Sequence, residues 1–205
     1  AQGLLDSEVG MSNGVNNSYT YQYDNYYRLA QSEENNGVAI FKKNFNYDGF
    51  GRVKRETKHT IYGTLSSEVT IENVYASCGM LTGINDANGN VLWKLSSINE
   101  KGQIISANFG NGTDIANSYD ANYFLRGVRH KNNSGLILSN NYTFEGSTGL
   151  LKKRSNDAIT NGWQESFEYD NMQRLISWNN PNGVQSQTYD TYGRISNNSE
   201  VGDYK

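Results

Sequence analysis

Apolar and polar residues alternate along this chain in short runs, as in Phe45-Asn46-Tyr47 and Phe167-Glu168-Tyr169. That two-residue period belongs to a β-strand with one face covered and one face wet. The runs are separated by clusters of Gly, Asn and Asp, residues that favour turns. The pattern therefore predicts short strands of about six or seven residues joined by tight turns, with two strands and a turn forming one unit.

The units share a motif: Tyr-Asp, two variable residues, Gly or a substitute, Arg, and an aliphatic residue. It returns about every 24 residues. The fullest copies are Tyr47-Asp48-Gly49-Phe50-Gly51-Arg52-Val53 and Tyr189-Asp190-Thr191-Tyr192-Gly193-Arg194-Ile195. Looser copies are Tyr23-Asp24 with Arg28-Leu29, Tyr169-Asp170 with Arg174-Leu175, and Tyr119-Asp120 with Leu125. Three more keep only the frame, beginning at Tyr75, Ile98 and Phe144. A period of this length indicates a solenoid, propeller or array. An Asp opening a type I turn accepts a hydrogen bond from the backbone two residues on, and a Gly three residues after it supplies the left-handed conformation that closes the hairpin. Gly51 and Gly193 fit that slot, and Gly37 is expected to lie outside it. At Tyr27, Tyr123 and Gln173 the left-handed conformation costs about 1 kcal/mol, so those hairpins are expected to be less regular.

Composition supports an all-β chain: 15 Tyr and 7 Phe supply β-favouring bulk, 21 Gly supply turns, and there is one Pro. Only 36% of the residues are hydrophobic, many of them tyrosines, so the interior is expected to be thin and aromatic. The net charge of −3 gives no electrostatic case for nucleic acid or an anionic membrane surface. No stretch approaches the roughly 20 apolar residues of a membrane span, and no signal peptide is visible. Ala1 is not an initiating Met, and Tyr204-Lys205 reads as the start of another strand, so the chain is expected to be a piece of a larger protein. The expected architecture is a set of β-hairpins stacked into an open, curved antiparallel sheet. Residues 1–18 would form a leading segment, and 19–205 one continuous domain of about eight repeats.

Each chemical signal has a structural counterpart. Asp24, Asp48, Asp120, Asp170 and Asp190 would suit paired carboxylates for glycoside hydrolysis, but their fixed place at turns favours a structural role. Cys78 is the single cysteine and falls in a turn, and His59 and His130 are the only histidines, so neither a Cys-His pair nor a zinc site has characteristic spacing. Counting Asp86 as a first calcium ligand puts Val91 and Ser97 where Gly and Glu are needed, so Asn88-Gly89 reads as a hairpin turn instead. Lys152-Lys153-Arg154 reads as a solvated strand end, and Asn141-Tyr142-Thr143 as an N-glycosylation sequence. No catalytic, cofactor or metal residue is assigned. Arg28, Arg52, Arg174 and Arg194 each follow a turn, which predicts cation–π or hydrogen-bonded ladders with tyrosines of neighbouring units. The competing reading has aromatics facing outward to stack on sugars, with Trp93, Trp163, Trp178 or Tyr side chains in an exposed row beside Asn and Asp.

The Tyr-Asp units resemble the YD repeats of the Rhs family, which includes shell-forming B and C components of bacterial insecticidal toxin complexes and the YD shell of teneurins. Further resemblance lies in Gly89-Asn90-Val91-Leu92-Trp93, in Asn99-Glu100-Lys101-Gly102-Gln103-Ile104, in Glu165 to Leu175, and in Val201-Gly202-Asp203-Tyr204. It spans the chain from about Tyr19 to Lys205. The resemblance implies a β-sheet spiralling into a hollow shell, secreted or presented at the cell surface and enclosing a toxic polypeptide. The neighbouring repeats of the parent chain and that polypeptide would be the partners, with glycans as the alternative and sheet edges prone to self-association. The motif residues Tyr23, Asp24, Arg28, Tyr47, Asp48, Gly51, Arg52, Tyr119, Asp120, Tyr169, Asp170, Arg174, Tyr189, Asp190, Gly193 and Arg194 would be structural. Self-cleavage at an Asp-Pro-x-Gly-Leu motif is not carried over, because the single Pro, Pro181, sits in Asn180-Pro181-Asn182.

Overall fold

The alternation read from the sequence is realised as antiparallel strands throughout. The computed structural model describes residues 3–12, 14–159 and 162–204, and among these it contains strands and turns and no helix. The chain divides into two compact units, Ala1–Leu95 with Phe109–Asn111, and Ser96–Asn108 with Gly112–Lys205.

In the first unit, β1 (Ser7–Ser12), β2 (Val15–Tyr23), β3 (Leu29–Asn35), β4 (Ile40–Tyr47), β5 (Val53–Tyr62), β6 (Leu65–Tyr75) and β7 (Leu81–Asp86) each pair antiparallel with the next, β7 with the first part of β8 (Val91–Ile98). In the second, the same succession runs through β9 (Ile104–Phe109), β10 (Asp114–Tyr119), β11 (Leu125–Asn132), β12 (Gly135–Phe144), β13 (Leu151–Asn156), β14 (Trp163–Tyr169), β15 (Leu175–Asn180), β16 (Gly183–Tyr189), β17 (Ile195–Asn198) and β18 (Gly202–Asp203). Every connection is local, as expected of a repeat protein whose units contact their neighbours in sequence.

One irregularity recurs at the motif. The register shifts by a residue immediately before Tyr23, Tyr47, Tyr75, Tyr119, Phe144, Tyr169 and Tyr189. Each shift sets that aromatic opposite the aliphatic residue after the turn, as in Tyr47 with Val53 and Tyr189 with Ile195. A bulge of this kind accommodates the extra residue of the turn and raises the local twist.

Burial is shallow. The chain exposes 13984 Å², whereas a compact globule of 23.0 kDa exposes about 9,600 Å². Among the described residues Ala107, at 1% exposure, is the one fully buried hydrophobic residue, and no large side chain is fully buried. Cross-strand pairs rather than a two-layer core carry the packing, such as Thr57 with Thr70 (2.8 Å) and Lys42 with Glu33 (2.9 Å).

Candidate functional site

The motif turns are where the side-chain chemistry concentrates, and their geometry is nearly identical from copy to copy. Asp48 caps its own turn: Oδ1 accepts from the backbone N–H of Phe50 (2.9 Å) and of Arg52 (3.0 Å), while Oδ2 accepts from Arg52 Nε (2.7 Å) and Nη2 (2.7 Å). Asp24 does the same with Tyr26 and Arg28, Asp170 with Met172 and Arg174, and Asp190 with Tyr192 and the Arg194 backbone and Nε. Both oxygens of each carboxylate are thus occupied within the turn. Asp120 keeps the backbone half of the pattern, to Asn122 and Phe124.

These contacts set the ionisation of the carboxyls. Burial opposes charge on Asp24 and Asp48, but hydrogen bonds from the side chains and backbones of Arg28 and Arg52 outweigh it and hold both below the usual carboxylate range. Asp170 is held low chiefly by the Arg174 side chain, and Asp190 by the Arg194 backbone N–H.

The arginine so fixed reaches into the next unit. Arg28 lies between Tyr26 of its own turn (5.0 Å from guanidinium carbon to ring centroid) and Tyr47 of the following unit (4.2 Å). Arg52 lies between Phe50 (5.0 Å) and Tyr75 (4.3 Å), and Arg174 lies over Tyr189 (4.3 Å). The same three tyrosines fasten the units a second time, Tyr47 donating its hydroxyl to Leu29 O (2.8 Å), Tyr75 to Val53 O (2.9 Å) and Tyr189 to Leu175 O (2.8 Å), and Tyr169 makes the equivalent bond to Leu151 O (3.0 Å). Tyr119 donates to Ile104 O (2.9 Å) and Tyr23 to Leu5 O (3.0 Å). Arg194 differs, since its side chain is 75% exposed and stacks on Tyr192 of its own turn at 5.3 Å.

Two expectations are corrected, and two further readings are refined. Tyr27, Tyr123 and Gln173 adopt φ of 62°, 63° and 63°, and the closing hydrogen bonds of their turns (2.9, 3.0 and 2.9 Å) match the 3.0 Å at Gly51. These hairpins are as regular as the glycine ones, because the Asp cap and the ladder hold the conformation against its local cost. Gly37 is left-handed as well, with φ of 79°, identical to Gly51. Its turn is capped by the Asn35 and Asn36 side chains, whose Oδ1 atoms accept from the backbone N–H of Gly37 (2.9 Å) and Ala39 (2.8 Å). Lys152, Lys153 and Arg154 are all exposed, as expected of a solvated basic cluster, and Arg154 in addition pairs with Glu165, which is 6% exposed, its guanidinium lying 5.2 Å from Trp163 and 5.5 Å from Phe167. The strand pairing explains this, since Arg154 on β13 faces Glu165 on β14 and the aromatics flank Glu165 at alternate positions. Trp93, Trp163 and Trp178 are half-buried, while Tyr26 and Tyr192 at the motif turns are 78% and 84% exposed.

Two turns that the sequence placed, at Asn88-Gly89 and in the Ile98 unit, share this cap design, which the sequence reading did not assign to them. Asp86 Oδ1 accepts from the Asn88 and Asn90 backbones and Oδ2 from Asn90 Nδ2, with Asn90 standing where other units have Arg. Asn99 pairs likewise with Gln103, whose Nε2 reaches Tyr123 O in the next unit (3.1 Å). The spacing of an acid or amide followed four residues on by Arg, Asn or Gln was the available signal.

No protein-family model matches the chain, and no curated protein does. Among solved structures it is similar to the crystal structures of TcdB2-TccC3-TEV (13% identity, TM-score 0.47) and TcdB2-TccC3-Cdc42 (14%, 0.47). The likeness covers 92% and 93% of this chain, which spans 15% of the length of those chains. A porin-like protein from Bacteroides uniformis is also similar, at 11% identity and TM-score 0.32 over 80% of this chain and 88% of that one.

Proposed function

We propose that this chain is an architectural YD-repeat segment, part of the wall of a secreted or surface-presented shell that encloses a polypeptide, with no catalysis of its own. The observation that carries this reading is the ladder from turn to turn. The carboxylates, guanidiniums and phenols that a binding or catalytic site would present are instead directed at each other, within the turn and into the following unit. A second observation agrees with it. The strands are shallowly buried on both faces, as befits a wall that separates two wet compartments rather than a domain closed on a core.

The motif resemblance supplies the enclosed partner and the secreted location. An adhesive, sugar-stacking module would need an outward row of tryptophans or tyrosines; Trp93, Trp163 and Trp178 are half-buried and do not favour it, and the exposed Tyr26 and Tyr192 at the motif turns each already carry a stacked arginine. Electron cryomicroscopy of the longest natural polypeptide carrying these units tests the proposal. A hollow particle with the hairpins in its wall and density inside is expected. A solid particle, or hairpins arranged as a free filament, would overturn it.

A further inference from the structure

The rung from arginine to the next unit's tyrosine is complete at Arg28 over Tyr47, Arg52 over Tyr75 and Arg174 over Tyr189. At the rung before Tyr119 the arginine position holds Gln103, which is shorter and uncharged. Its Oε1 accepts from Asn99 Nδ2 (2.8 Å) and its Nε2 donates to Tyr123 O (3.1 Å), so the amide is already committed. Lys101 lies over Tyr123 at 5.1 Å, and among the described residues no cation lies over the Tyr119 ring.

The unit that begins at Tyr119 lacks its own arginine too. Phe124 stands in that place and packs on Phe144, with ring centroids 5.3 Å apart. Asp120 Oδ1 still accepts from the backbone N–H of Asn122 (2.8 Å) and Phe124 (3.0 Å). Its Oδ2, the oxygen that takes Arg Nε in the Asp48 turn, accepts from no described residue. Tyr119 and Asp120 border one cleft of about 260 Å³, together with Glu100, Tyr123, Asn117 and Ile105. Asn117 donates Nδ2 to Ile104 O (2.9 Å), and its Oδ1 is the shielded side-chain polar atom without a partner among the described residues. Glu100 is exposed and accepts the Tyr123 hydroxyl at Oε1 (2.7 Å).

Asp120 Oδ2, Asn117 Oδ1 and the Glu100 carboxylate are acceptors only. They would repel an anion, and an apolar ligand would leave them unpaired. A planar cation with several N–H donors satisfies them together, and Tyr119 offers it a ring face. The volume falls below the roughly 300–1,000 Å³ of small-molecule pockets and suits a single side chain. We propose that this cleft receives the guanidinium of an arginine side chain from a partner polypeptide, which completes in trans the rung that Gln103 leaves open. The rungs between arginine-bearing units do not depend on it, so its failure would leave the architectural reading intact.

The test is an NMR titration of the ¹⁵N-labelled chain, to millimolar concentrations, with a blocked tripeptide carrying arginine between two glycines, with its lysine and citrulline counterparts, and with free L-arginine. Saturable shifts at the Glu100, Tyr119 and Asp120 amides are expected with the arginine peptide. Binding should be about fivefold weaker with lysine, which lacks the planar fork, and absent with uncharged citrulline. Free L-arginine should bind more weakly than the peptide, because its own carboxylate meets Glu100 and Asp120; tighter binding would assign the cleft to a small molecule and overturn the polypeptide partner. Gln103→Arg supplies the guanidinium from within the chain, as Arg52 does for Tyr75, and should abolish the shifts. Glu100→Gln, at an exposed position, should weaken binding about threefold. Absence of saturable shifts with the arginine peptide, equal shifts with citrulline, or binding unchanged in both variants would overturn the proposal.

Discussion

At the scale of the residue, the motif aspartate organises everything near it. Because the folded pKa values of Asp24, Asp48, Asp170 and Asp190 are depressed, their contribution to stability is present above the ordinary carboxylate range and is lost as pH falls through the folded values. The melting temperature should stay level near neutrality and fall below about pH 4, and the double variant Asp48→Asn with Asp170→Asn should flatten that fall. Gln173 is exposed and sits at φ of 63°, so Gln173→Gly should raise stability by about 1 kcal/mol in urea denaturation. A loss instead would mean that the side chain holds the turn. The role of Asp48 and Gly51 was legible because hydrogen-bonding reach and φ preference are local properties. The strain at Tyr27, Tyr123 and Gln173 was misjudged because part of what offsets it comes from neighbouring units, as where Tyr47 stacks on Arg28, Tyr189 on Arg174, and Gln103 and Glu100 hydrogen-bond Tyr123.

At the scale of the element, the hairpin is defined by its bulge and by the tyrosine it re-aims. The alternation in Phe45-Asn46-Tyr47 predicted a strand, but it could not show that the register slips before Tyr47 and places that ring beneath Arg28. The spacing of six residues from Tyr to the aliphatic partner, constant from Tyr23-Leu29 to Tyr189-Ile195, held that information. Removing the hydroxyl alone, as Tyr47→Phe, should cost about 1 kcal/mol, since it deletes the bond to Leu29 O and leaves the ring under Arg28. Arg52→Met should destabilise more than Arg194→Met, because Arg52 is held between two rings and Arg194 lies against one. Equal losses in thermal denaturation would contradict the ladder's contribution. The pairing of Arg154 with Glu165 was hidden from the sequence for a related reason. It depends on which residues β13 and β14 bring opposite each other, and that follows from a connection with no Tyr-Asp signature.

At the scale of the molecule, stability should be close to a sum over units and their neighbours. Deleting residues 29–52 joins Arg28 to Val53 in frame and removes one full repeat; the product should remain folded, with strand content by circular dichroism reduced in proportion and a lower melting temperature. The central claim is that successive units are fastened to one another through Arg and Tyr, and a double-mutant cycle on Arg52→Met and Tyr75→Leu measures it most directly. A coupling of about 0.5–1 kcal/mol between the two, with none between Arg194→Met and Tyr75→Leu, is the predicted result. Additive effects at Arg52 and Tyr75 would contradict it.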